Sequence, residues 1–566
     1  MSTKNTFKPN WINEPPKKGS FRSIFKFGNP KGFKHPNDNL YQEIKSKFNL
    51  TDADFIEKTT TGNEPVEIKK ESGLETHQID KFIHISGKEN VSPKEYERLK
   101  FSTGKTVEEA LKLRAGKVDK ISDLVVHPRN KSEISAIIKY CNQQKIPIYA
   151  YGGGSSVNFG YYPEKGGISL VLSTHLNKVV EFNEINQTAT VEAGMMGPAF
   201  EHVLNNAPKL YGANHAFTCG HFPQSFEYST VGGWFVTLGS GQQSSYYGDA
   251  ADLVLGVEII TPVGEIITKD YPATSTGPKV LDIIKGSEGT LGIVVELTWK
   301  IFRHKPKNRQ YFSFIFPNWE AAVHASREIS QSEFGMPAVF RISDAEETHH
   351  GLKLYGIEDT IIDKLMKFRG FKPMERCLFL GTADGDKRFA RNIKSSVKKI
   401  CKKYGAMNLT SYPVRKWEPG RYKDPYLRED LMDYGIIMDT LETSVKWDNL
   451  HKVHKMCRDY VKSRPATICM THASHFYEQG TNLYFIFIIK ENDMQAYLDF
   501  HKGLIDQIEK SGGSLSHHHG VGRMIAQWMP QHLGENQMNV IRALKKHFDP
   551  NNIMNPGSQL GLEEPC

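Results

Sequence analysis

The chain has 566 residues, of which 39% are hydrophobic, 11% aromatic and 24% charged. This composition excludes a wholly disordered, collagen-like or low-complexity protein, and the length predicts about three to four domains. The net charge of +8 is mild for this size and comes without a clustered basic motif, so nucleic-acid binding is not expected.

Neither a membrane span nor a secretory signal is expected from the sequence. The longest strongly apolar run covers residues 483–489, far short of the about 20 residues that cross a bilayer. No apolar stretch of the kind found in secretory signals follows the N-terminal residues. The seven cysteines are scattered without a Cys-x-x-Cys motif, so we expect a reducing compartment and neither a disulfide scaffold nor a thiolate zinc site.

The first 118 residues are expected to form an N-terminal extension that is only partly helical. Within it, residues 38–48 have the pattern of a helix. Ser92 followed by Pro93 predicts a helix with the proline at its first position. Thr106 predicts the start of another helix, whose first turn is acidic.

From residue 120 the pattern is that of an α/β unit, and beyond about residue 303 helices and strands alternate as in a second, α+β domain. We therefore predict an extension over 1–118, a domain over 119–302, a second domain over 303–540 and a C-terminal segment over 541–566. Strands are expected at 124–126, 147–151, 168–172, 188–192, 254–261, 265–268, 292–301, 310–316 and 483–489, and helices at 132–143, 199–205, 320–331, 388–403 and 494–510.

The strongest local feature is the loop Gly152-Gly153-Gly154-Ser155-Ser156, which follows a predicted strand. Three successive glycines let the backbone approach a ligand, and successive amides in such a turn suit phosphate oxygens. The loop matches neither Gly-x-Gly-x-x-Gly nor the Gly-Lys-Ser/Thr of a Walker loop. Taken alone, it is equally consistent with a plain tight turn.

Two further small-residue segments favour a ligand. Residues 229–234 are Ser-Thr-Val-Gly-Gly-Trp, and residues 286–293 are Gly-Ser-Glu-Gly-Thr-Leu-Gly-Ile. Three such loops predict one extended ligand held by backbone donors. With the C-terminal Phe-Asp-Pro-Asn-Asn-Ile-Met-Asn-Pro-Gly at 548–557, they resemble the FAD-binding domain of the vanillyl-alcohol oxidase and p-cresol methylhydroxylase type.

This resemblance implies an α+β fold with a two-part FAD-binding domain, an α+β substrate (cap) domain, and a C-terminal segment that returns to the FAD domain. Some relatives bond the flavin covalently to a histidine after the third glycine. Ser155 occupies that position here, so we expect non-covalent FAD. The cofactor-binding residues that the resemblance implies are Ala150, Tyr151, Gly152, Gly153, Gly154, Ser155, Ser156, Gln224, Ser225, Ser229, Thr230, Val231, Gly232, Gly233, Thr237, Gly239, Ser240, Glu288, Gly289, Thr290, Leu291, Gly292, Ile293 and Val294.

Three consecutive histidines, His517, His518 and His519, precede Gly520-Val521-Gly522. They are consistent with a metal site, with an acid–base and anion-binding cluster, or with a solvated loop. Neighbouring residues of a strand point to opposite faces, and the run has no carboxylate or thiolate, so we expect no metal. We favour His517 and His519 facing one pocket, or a turn presenting two histidines, with a role in proton transfer or anion binding.

The histidine run makes the resemblance more specific, because it points to one family among the proteins with this FAD-binding domain. Together with Thr-Cys-Gly-His at 218–221 and Pro-Tyr-Leu-Arg at 425–428, it is similar to the alkylglycerone phosphate synthases, also called alkyl-dihydroxyacetonephosphate synthases. Two segments depart from the pattern of that family. Residues 221–225 are His-Phe-Pro-Gln-Ser where the family has His-Glu-Pro-Asp-Ser, and Asn482 replaces a cysteine two residues before the family's active tyrosine.

The narrower resemblance implies ether-lipid biosynthesis. A long-chain fatty alcohol replaces the acyl chain of acyl-dihydroxyacetone phosphate, through a flavin N5 adduct and without net redox change. Arg428 and Arg341 are implied as substrate-binding residues, and a guanidinium suits a phosphate because it is planar and permanently charged. The implied catalytic residues are Tyr484, His221, His517, His518 and His519.

The same resemblance implies a peroxisomal protein at the membrane surface, and we expect a homodimer, although no clear targeting signal is visible. Two other functions stay open. A flavin dehydrogenase of D-2-hydroxy acids would share the scaffold, but its Glu-His-Gly pattern is His518-His519-Gly520 here. A catalytically idle flavin- or lipid-binding protein would keep the glycine loops and show no turnover that depends on Tyr484.

Overall fold

The structure, a computed structural model, describes residues 7–68, 70–118 and 120–560. The chain divides into two compact units. The large-sheet unit comprises the residues up to Pro16, Lys26–Thr61 and Lys305–Ser514. The glycine-loop unit comprises Lys17–Phe25, Gly62–His304 and the chain from Leu515 onwards. These units cut the chain at other points than the predicted domains, because the N-terminal residues contribute to both units and the C-terminal return begins at residue 515.

The glycine-loop unit contains two main sheets. The first sheet has four strands: three are parallel to one another, and the fourth, at one edge, is antiparallel to its neighbour. The helix Lys131–Gln144 connects two of the parallel strands. This helix buries an apolar stripe spaced three and four residues apart, which is why it packs on the sheet. The strand order is Val91–Ser92, Leu124–Val126, Ile168–Val171 and Ile148–Tyr151.

The second sheet of this unit is antiparallel throughout and has five strands. Its order is Val179–Asn183, Thr188–Glu192, Ile293–Lys300, Val254–Thr261 and Gly264–Ile267, and a separate pair joins Phe217–Thr218 to Phe302–Arg303. The unit's α-helices are Phe21–Phe25, Thr76–Ser86, Glu95–Lys100, Val107–Arg114, Lys131–Gln144, Gly197–Asn205, Ala207–Tyr211, Val231–Val236, Ser244–Tyr247, Ala250–Leu253, Val280–Ile284, Met529–Leu533 and Glu535–Phe548.

The large-sheet unit is built on one antiparallel sheet of seven strands. Its order is Met407–Thr410, Gln310–Phe316, Cys377–Ala383, Phe340–Ser343, Ile468–Ala473, Gly480–Lys490 and Ile436–Lys446. Its α-helices are Asp38–Phe48, Trp319–Ser330, Ala345–Leu354, Ile361–Phe368, Lys387–Lys403, Tyr412–Trp417, Leu427–Met432, Leu450–Ser463 and Met494–Ser511. None of the helices in the described parts of the chain is long and apolar enough to span a bilayer.

The strands and helices that were predicted lie within a few residues of their observed bounds, whereas five of the seven strands of the large sheet were not predicted. The helix over 38–48 is confirmed, and so is the start at Thr106, whose hydroxyl accepts a hydrogen bond from the Glu109 amide at 3.0 Å. The helix start at Ser92 and Pro93 is wrong. Ser92 pairs as a strand residue with Val125 instead, and the helix begins at Glu95.

Candidate active site

The glycine loop follows the strand Ile148–Tyr151 and lies directly against residues 228–230 of the second small-residue segment. A Cβ atom on Gly153 would lie 2.0 Å from the carbonyl oxygen of Tyr228, and one on Gly152 would lie 2.5 Å from Thr230 Oγ1. A larger residue would force these two segments apart, so both glycines are required for the contact.

The backbone of this loop offers hydrogen-bond donors. Among the described residues, the amides of Gly153, Gly154 and Ser155 donate to no other group of the protein. The hydroxyl of Ser156 is engaged locally, because it donates to Asn158 Oδ1 at 2.8 Å. Unpaired amides in a tight turn, with Gly154 at a φ of 71°, suit the oxygens of an anion such as a pyrophosphate.

The third segment meets the other two. The Glu288 amide donates to Val236 O at 2.9 Å, at the end of the helix Val231–Val236, which Thr230 caps by accepting from the Gly233 amide. A Cβ on Gly289 would lie 3.7 Å from the Cβ of Ala150, beside the glycine loop. The structure therefore brings together the three loops that the sequence singled out.

The side chain of Glu288 has a role that the sequence did not indicate. Its carboxylate is buried and accepts hydrogen bonds from the Val521 amide at 2.6 Å, the Gly522 amide at 2.8 Å and the Ser558 hydroxyl at 3.0 Å. Burial raises the pKa of Glu288, although these hydrogen bonds oppose the shift. Glu288 thus fixes the segment after the histidine run to the third small-residue loop.

The three histidines lie in a turn, so the strand geometry considered for them is wrong. The Ser516 hydroxyl oxygen accepts from the amides of both His519 and Gly520 at 3.1 Å, which curls the chain. His517 Nδ1 lies 3.0 Å from His518 Nδ1, and the rings of His518 and His519 are 4.6 Å apart. Consecutive histidines are therefore neighbours in space instead of alternating between faces.

His221 is fully buried in the glycine-loop unit, in an aromatic environment. Its ring lies 4.8 Å from that of Trp234 and 5.8 Å from that of Trp299. Neither ring nitrogen has a hydrogen-bond partner among the described residues. Burial lowers the pKa of His221 to about 4, so the ring is neutral at physiological pH.

Several of the other predicted cofactor residues have side chains engaged within the protein. Ser229 Oγ accepts from Trp234 Nε1 at 2.7 Å, and the Thr237 hydroxyl donates to Gly233 O at 2.8 Å. Ser240 pairs with Asp249, and Gln224 Oε1 accepts from Gln242 Nε2 at 3.2 Å. These residues shape the loops, which leaves backbone groups as the donors for a bound molecule.

A second cluster lies in the large-sheet unit, where Tyr484 and Arg341 belong to one buried network. Arg341 Nη2 lies 2.5 Å from Glu347 Oε1 and 3.1 Å from His472 Nδ1, and that nitrogen is also 3.0 Å from the same carboxylate oxygen. The ring of His472 stacks on that of Tyr484 at 4.8 Å. The Tyr484 hydroxyl donates to Thr440 Oγ1 at 3.1 Å.

Burial and charge set the protonation of this network. Burial raises the pKa of Tyr484 to about 12, so the phenol keeps its proton at neutral pH. Burial, together with the charge of Arg341, lowers the pKa of His472. Burial opposes ionisation of Glu347, but His472 and Arg341 outweigh it and lower the pKa of Glu347 to about 2.

Arg428 lies on the short helix Leu427–Met432 of the same unit and is 8% exposed. Its guanidinium carbon lies 5.5 Å from the ring centroid of Phe27. Asn482, the residue that departs from the family pattern, is fully buried, and its Oδ1 accepts from the amides of Ser474 and His475 at 2.8 and 3.1 Å. Asn482 therefore stabilises the turn between two central strands.

Comparison with known proteins identifies the family. Residues 122–270 match the FAD binding domain, and residues 305–558 match the C-terminal domain of FAD linked oxidases. The alkyldihydroxyacetonephosphate synthase of Dictyostelium discoideum is 34% identical over 479 residues, which are 81% of this chain and 76% of the relative. The chain belongs to the FAD-linked oxidase family. Within that family it is a homologue of the alkyldihydroxyacetonephosphate synthases.

Solved structures give the same assignment for this FAD-linked oxidase. A structure of an alkyldihydroxyacetonephosphate synthase superposes with a TM-score of 0.80 at 28% identity, and covers 95% of this chain and 99% of that one. p-Cresol methylhydroxylase, at 16% identity and a TM-score of 0.64, shares the fold. The expected α+β fold with its FAD-binding domain is confirmed.

Sequence reasoning missed three residues of this FAD-linked oxidase that organise the candidate site. Asn158 Nδ2 donates to the carbonyl oxygen of His519 at 2.8 Å and so anchors the histidine turn. Glu347 and His472 join Arg341 to Tyr484. Glu347 lies six positions after Arg341, at the start of a helix, and this short separation could have indicated the pair. No local pattern indicated His472.

The glycine loop leads to a prediction about the cofactor. Its unpaired amides fit a pyrophosphate, whereas the Ser155 side chain provides no nitrogen for a flavin bond. We expect acid precipitation of the purified protein to leave FAD in a yellow supernatant above a colourless pellet, measured by absorbance. A pellet that stays yellow after washing would contradict non-covalent binding.

Proposed function

We propose that this protein is an alkyldihydroxyacetonephosphate synthase, which exchanges the acyl chain of acyl-dihydroxyacetone phosphate for a long-chain fatty alcohol and releases the fatty acid. The observation that carries the proposal is the buried network of Arg341, Glu347, His472 and Tyr484 in a chain that is 34% identical to such an enzyme. A permanently charged guanidinium and a protonated phenol are groups that an anionic ketone substrate requires.

The protonation states define what these residues do in the reaction. Tyr484 enters the reaction with its proton in place, because its pKa is raised to about 12, and we assign it the transfer of this proton. Its ring is held by stacking on His472, and its hydroxyl by Thr440, which keeps the proton at a fixed position. Arg341 and Arg428 bind the phosphate and carbonyl oxygens of the substrate.

The glycine-loop unit holds the cofactor in this proposal. The amides of Gly153, Gly154 and Ser155 bind the pyrophosphate of FAD, and the small residues of the other two loops lie along the rest of it. FAD, when bound, supplies an electron-accepting ring for the substrate carbon. The histidine turn, fixed by Asn158 and Glu288, contributes further groups for proton transfer.

A product assay tests the proposal. FAD-loaded protein is incubated with palmitoyl-dihydroxyacetone phosphate and labelled hexadecanol, and labelled ether is expected in equal amount to released palmitate, with the flavin spectrum unchanged afterwards. The competing dehydrogenase function predicts no ether and bleaching of the flavin by D-lactate or D-2-hydroxyglutarate without oxygen. If neither occurs, the protein binds flavin without either activity, and the proposal fails.

The substrates of this proposal are lipids, and one helix of the large-sheet unit fits a membrane surface. Helix Ile361–Phe368 leaves its apolar side exposed, with Ile361 86% and Phe368 89% accessible and Ile362 and Leu365 about half accessible. Lysines at 364 and 367 and an arginine at 369 border this side. An exposed apolar stripe beside basic residues favours binding to an anionic lipid surface, and we propose peripheral membrane association through it.

Replacing Ile361 and Phe368 together by serine should reduce co-sedimentation with vesicles of phosphatidylcholine and phosphatidylserine about tenfold or more, because each side chain contributes roughly 1.5–3 kcal/mol when buried. Ile185→Ser is the matched control, since Ile185 is 94% exposed and lies in the other unit. If sedimentation is unchanged and light scattering shows a dimer becoming a monomer, the helix forms the expected homodimer instead. The peroxisomal location stays a prediction from the resemblance.

A further inference from the structure

Residues 26–35, called here the N-terminal strap, pack on the helical segment 424–430 that carries Arg428. Both segments belong to the large-sheet unit, although Lys26 and Glu429 are 403 positions apart in the sequence. The strap lies outside both family matches, which cover residues 122–270 and 305–558. The two family matches therefore assign no role to the strap, and we infer its role from the contacts that the strap makes.

The inner end of the strap is tied to the residue after Arg428. Glu429 Oε1 accepts from the Phe27 amide at 2.6 Å and lies 3.4 Å from Lys26 Nζ. The side chains of Lys26 and Glu429 are only 5% and 6% exposed. Lys26 also donates to Gly32 O at 2.9 Å, which closes the strap on itself. Loss of one partner of such a buried pair leaves the other charge uncompensated, so the pair holds the two segments together.

The outer end pairs with the remaining carboxylates of the segment. His35 Nδ1 lies 2.5 Å from Asp430 Oδ2, and Lys34 pairs with Asp424. The strap thus gives a basic partner to each of the three acidic residues around Arg428. Carboxylates bind guanidinium groups in the same planar, bidentate manner as phosphates do. Without the strap, these neighbours would compete with a substrate phosphate for Arg428.

Aromatic contacts fix the position of the guanidinium. The ring of Phe27 lies 5.5 Å from the guanidinium carbon of Arg428 and meets the ring of Tyr426 edge-on at 6.4 Å. The Asn29 amide donates to the Tyr426 hydroxyl at 2.8 Å. A Cβ on Gly32 would lie 2.8 Å from Tyr426 Cζ, so only glycine permits this approach.

We propose that the N-terminal strap is the positioning element for Arg428: it occupies the carboxylates of the acidic neighbours of this arginine and holds its guanidinium for the phosphate of the substrate. This inference rests on the proposed function, in which Arg428 binds that phosphate. It makes residues 26–35 determinants of substrate affinity, although they make no contribution to the chemical step.

The test uses the full-length, FAD-loaded protein and initial rates with palmitoyl-dihydroxyacetone phosphate and hexadecanol. Lys26→Met and Gly32→Val should each raise the KM for the phosphate substrate about tenfold or more, as expected for a weakened charge-assisted contact. The kcat and the KM for hexadecanol, which has no phosphate, should stay within about twofold. Lys26→Arg should restore most of the affinity, because it keeps the charge.

Lys45→Met is the matched control. Lys45 lies in the helix Asp38–Phe48 of the same unit, outside the strap, and pairs with Asp52 at 2.5 Å. Loss of the Lys45 charge should leave the KM for the phosphate substrate and the KM for hexadecanol unchanged. If Lys26→Met fails to fold, Phe27→Leu replaces it in the test. This substitution removes the aromatic ring beneath the guanidinium of Arg428 but keeps an apolar side chain in place. It should raise the KM for the phosphate substrate.

Arg428→Leu separates the possible failures. It should retain FAD and raise the KM for the phosphate substrate about tenfold or more, since it removes the charged partner of the phosphate. Lys26→Met should then add nothing to it, because both changes act through one contact. If Arg428→Leu has no effect, the phosphate role in the proposed function fails. If Arg428→Leu acts but the strap variants do not, or act additively with it, the strap proposal alone fails.

Discussion

Tyr484→Phe should abolish alkyl transfer while the protein keeps its FAD. The substitution removes only the hydroxyl group, which burial keeps protonated by raising the pKa of Tyr484 to about 12, and which donates to Thr440. A positioned proton donor contributes about 10²- to 10⁴-fold to a rate, so product formation should fall by that factor. The stacking partner His472 should keep the aromatic ring in place, so FAD content and thermal stability should change little.

Tyr497→Phe provides the control for this prediction. Tyr497 is buried in the same unit, and its hydroxyl donates to Asp439 Oδ2 at 2.5 Å. It lies outside the network of Arg341, Glu347 and His472, so its loss should leave turnover near the wild-type rate. Ether formation by Tyr484→Phe within threefold of wild type would contradict the catalytic role and favour a flavin-binding protein whose tyrosine is structural.

Local patterns were sufficient for part of the elements and for finding the glycine loops. Residues 188–192 alternate in hydrophobicity as strands do, residues 254–261 form a short run rich in valine and isoleucine, and both are strands with those bounds. The glycine segments could be found because close backbone approach requires glycine whatever the rest of the fold is. Gly153 shows this directly, since any Cβ there would lie 2.0 Å from the Tyr228 carbonyl oxygen.

Long-range partners could not be predicted from those patterns. Glu347 and His472 are 125 positions apart. They meet because the strand Phe340–Ser343, which precedes the helix of Glu347, pairs with the strand of His472 in the seven-stranded sheet, whose order does not follow the sequence. The N-terminal residues gave a weak pattern because their apolar and charged groups pair with residues hundreds of positions away. The pair of Lys26 and Glu429 is the clearest case, because these two residues are 403 positions apart in the sequence.

The histidine run shows a different limit. Three identical residues carry no periodicity, so a strand and a turn were equally compatible with their sequence. The deciding groups lie on either side of the run: the Ser516 hydroxyl caps two amides, and Gly520 takes a φ of 83°, which favours glycine. Ser516 and Gly520 are therefore the local signals that indicate a turn.

His519→Ala should lose about 10²-fold or more of the turnover, and the three single replacements should be unequal. The backbone of His519 is fixed on both sides, because its carbonyl oxygen accepts from Asn158 and its amide donates to Ser516. A fixed imidazole is what proton transfer requires, and one correctly placed ring is sufficient. A replacement of the histidine that points away from the substrate should be tolerated. His215→Ala is the control, since His215 pairs with Glu184 on the surface of the same unit.

Chelator treatment then decides between proton transfer and metal binding by the run. His517 and His518 have Nδ1 atoms 3.0 Å apart, a distance at which one imidazole donates to the other, so the two rings already satisfy each other. Three histidines can bind zinc without a carboxylate or thiolate, so the run is compatible with either role. Proton transfer by the run predicts that activity survives EDTA. Stoichiometric metal in the purified protein, with activity lost on chelation and regained on metal addition, would overturn this role and revive the hydroxy-acid dehydrogenase function.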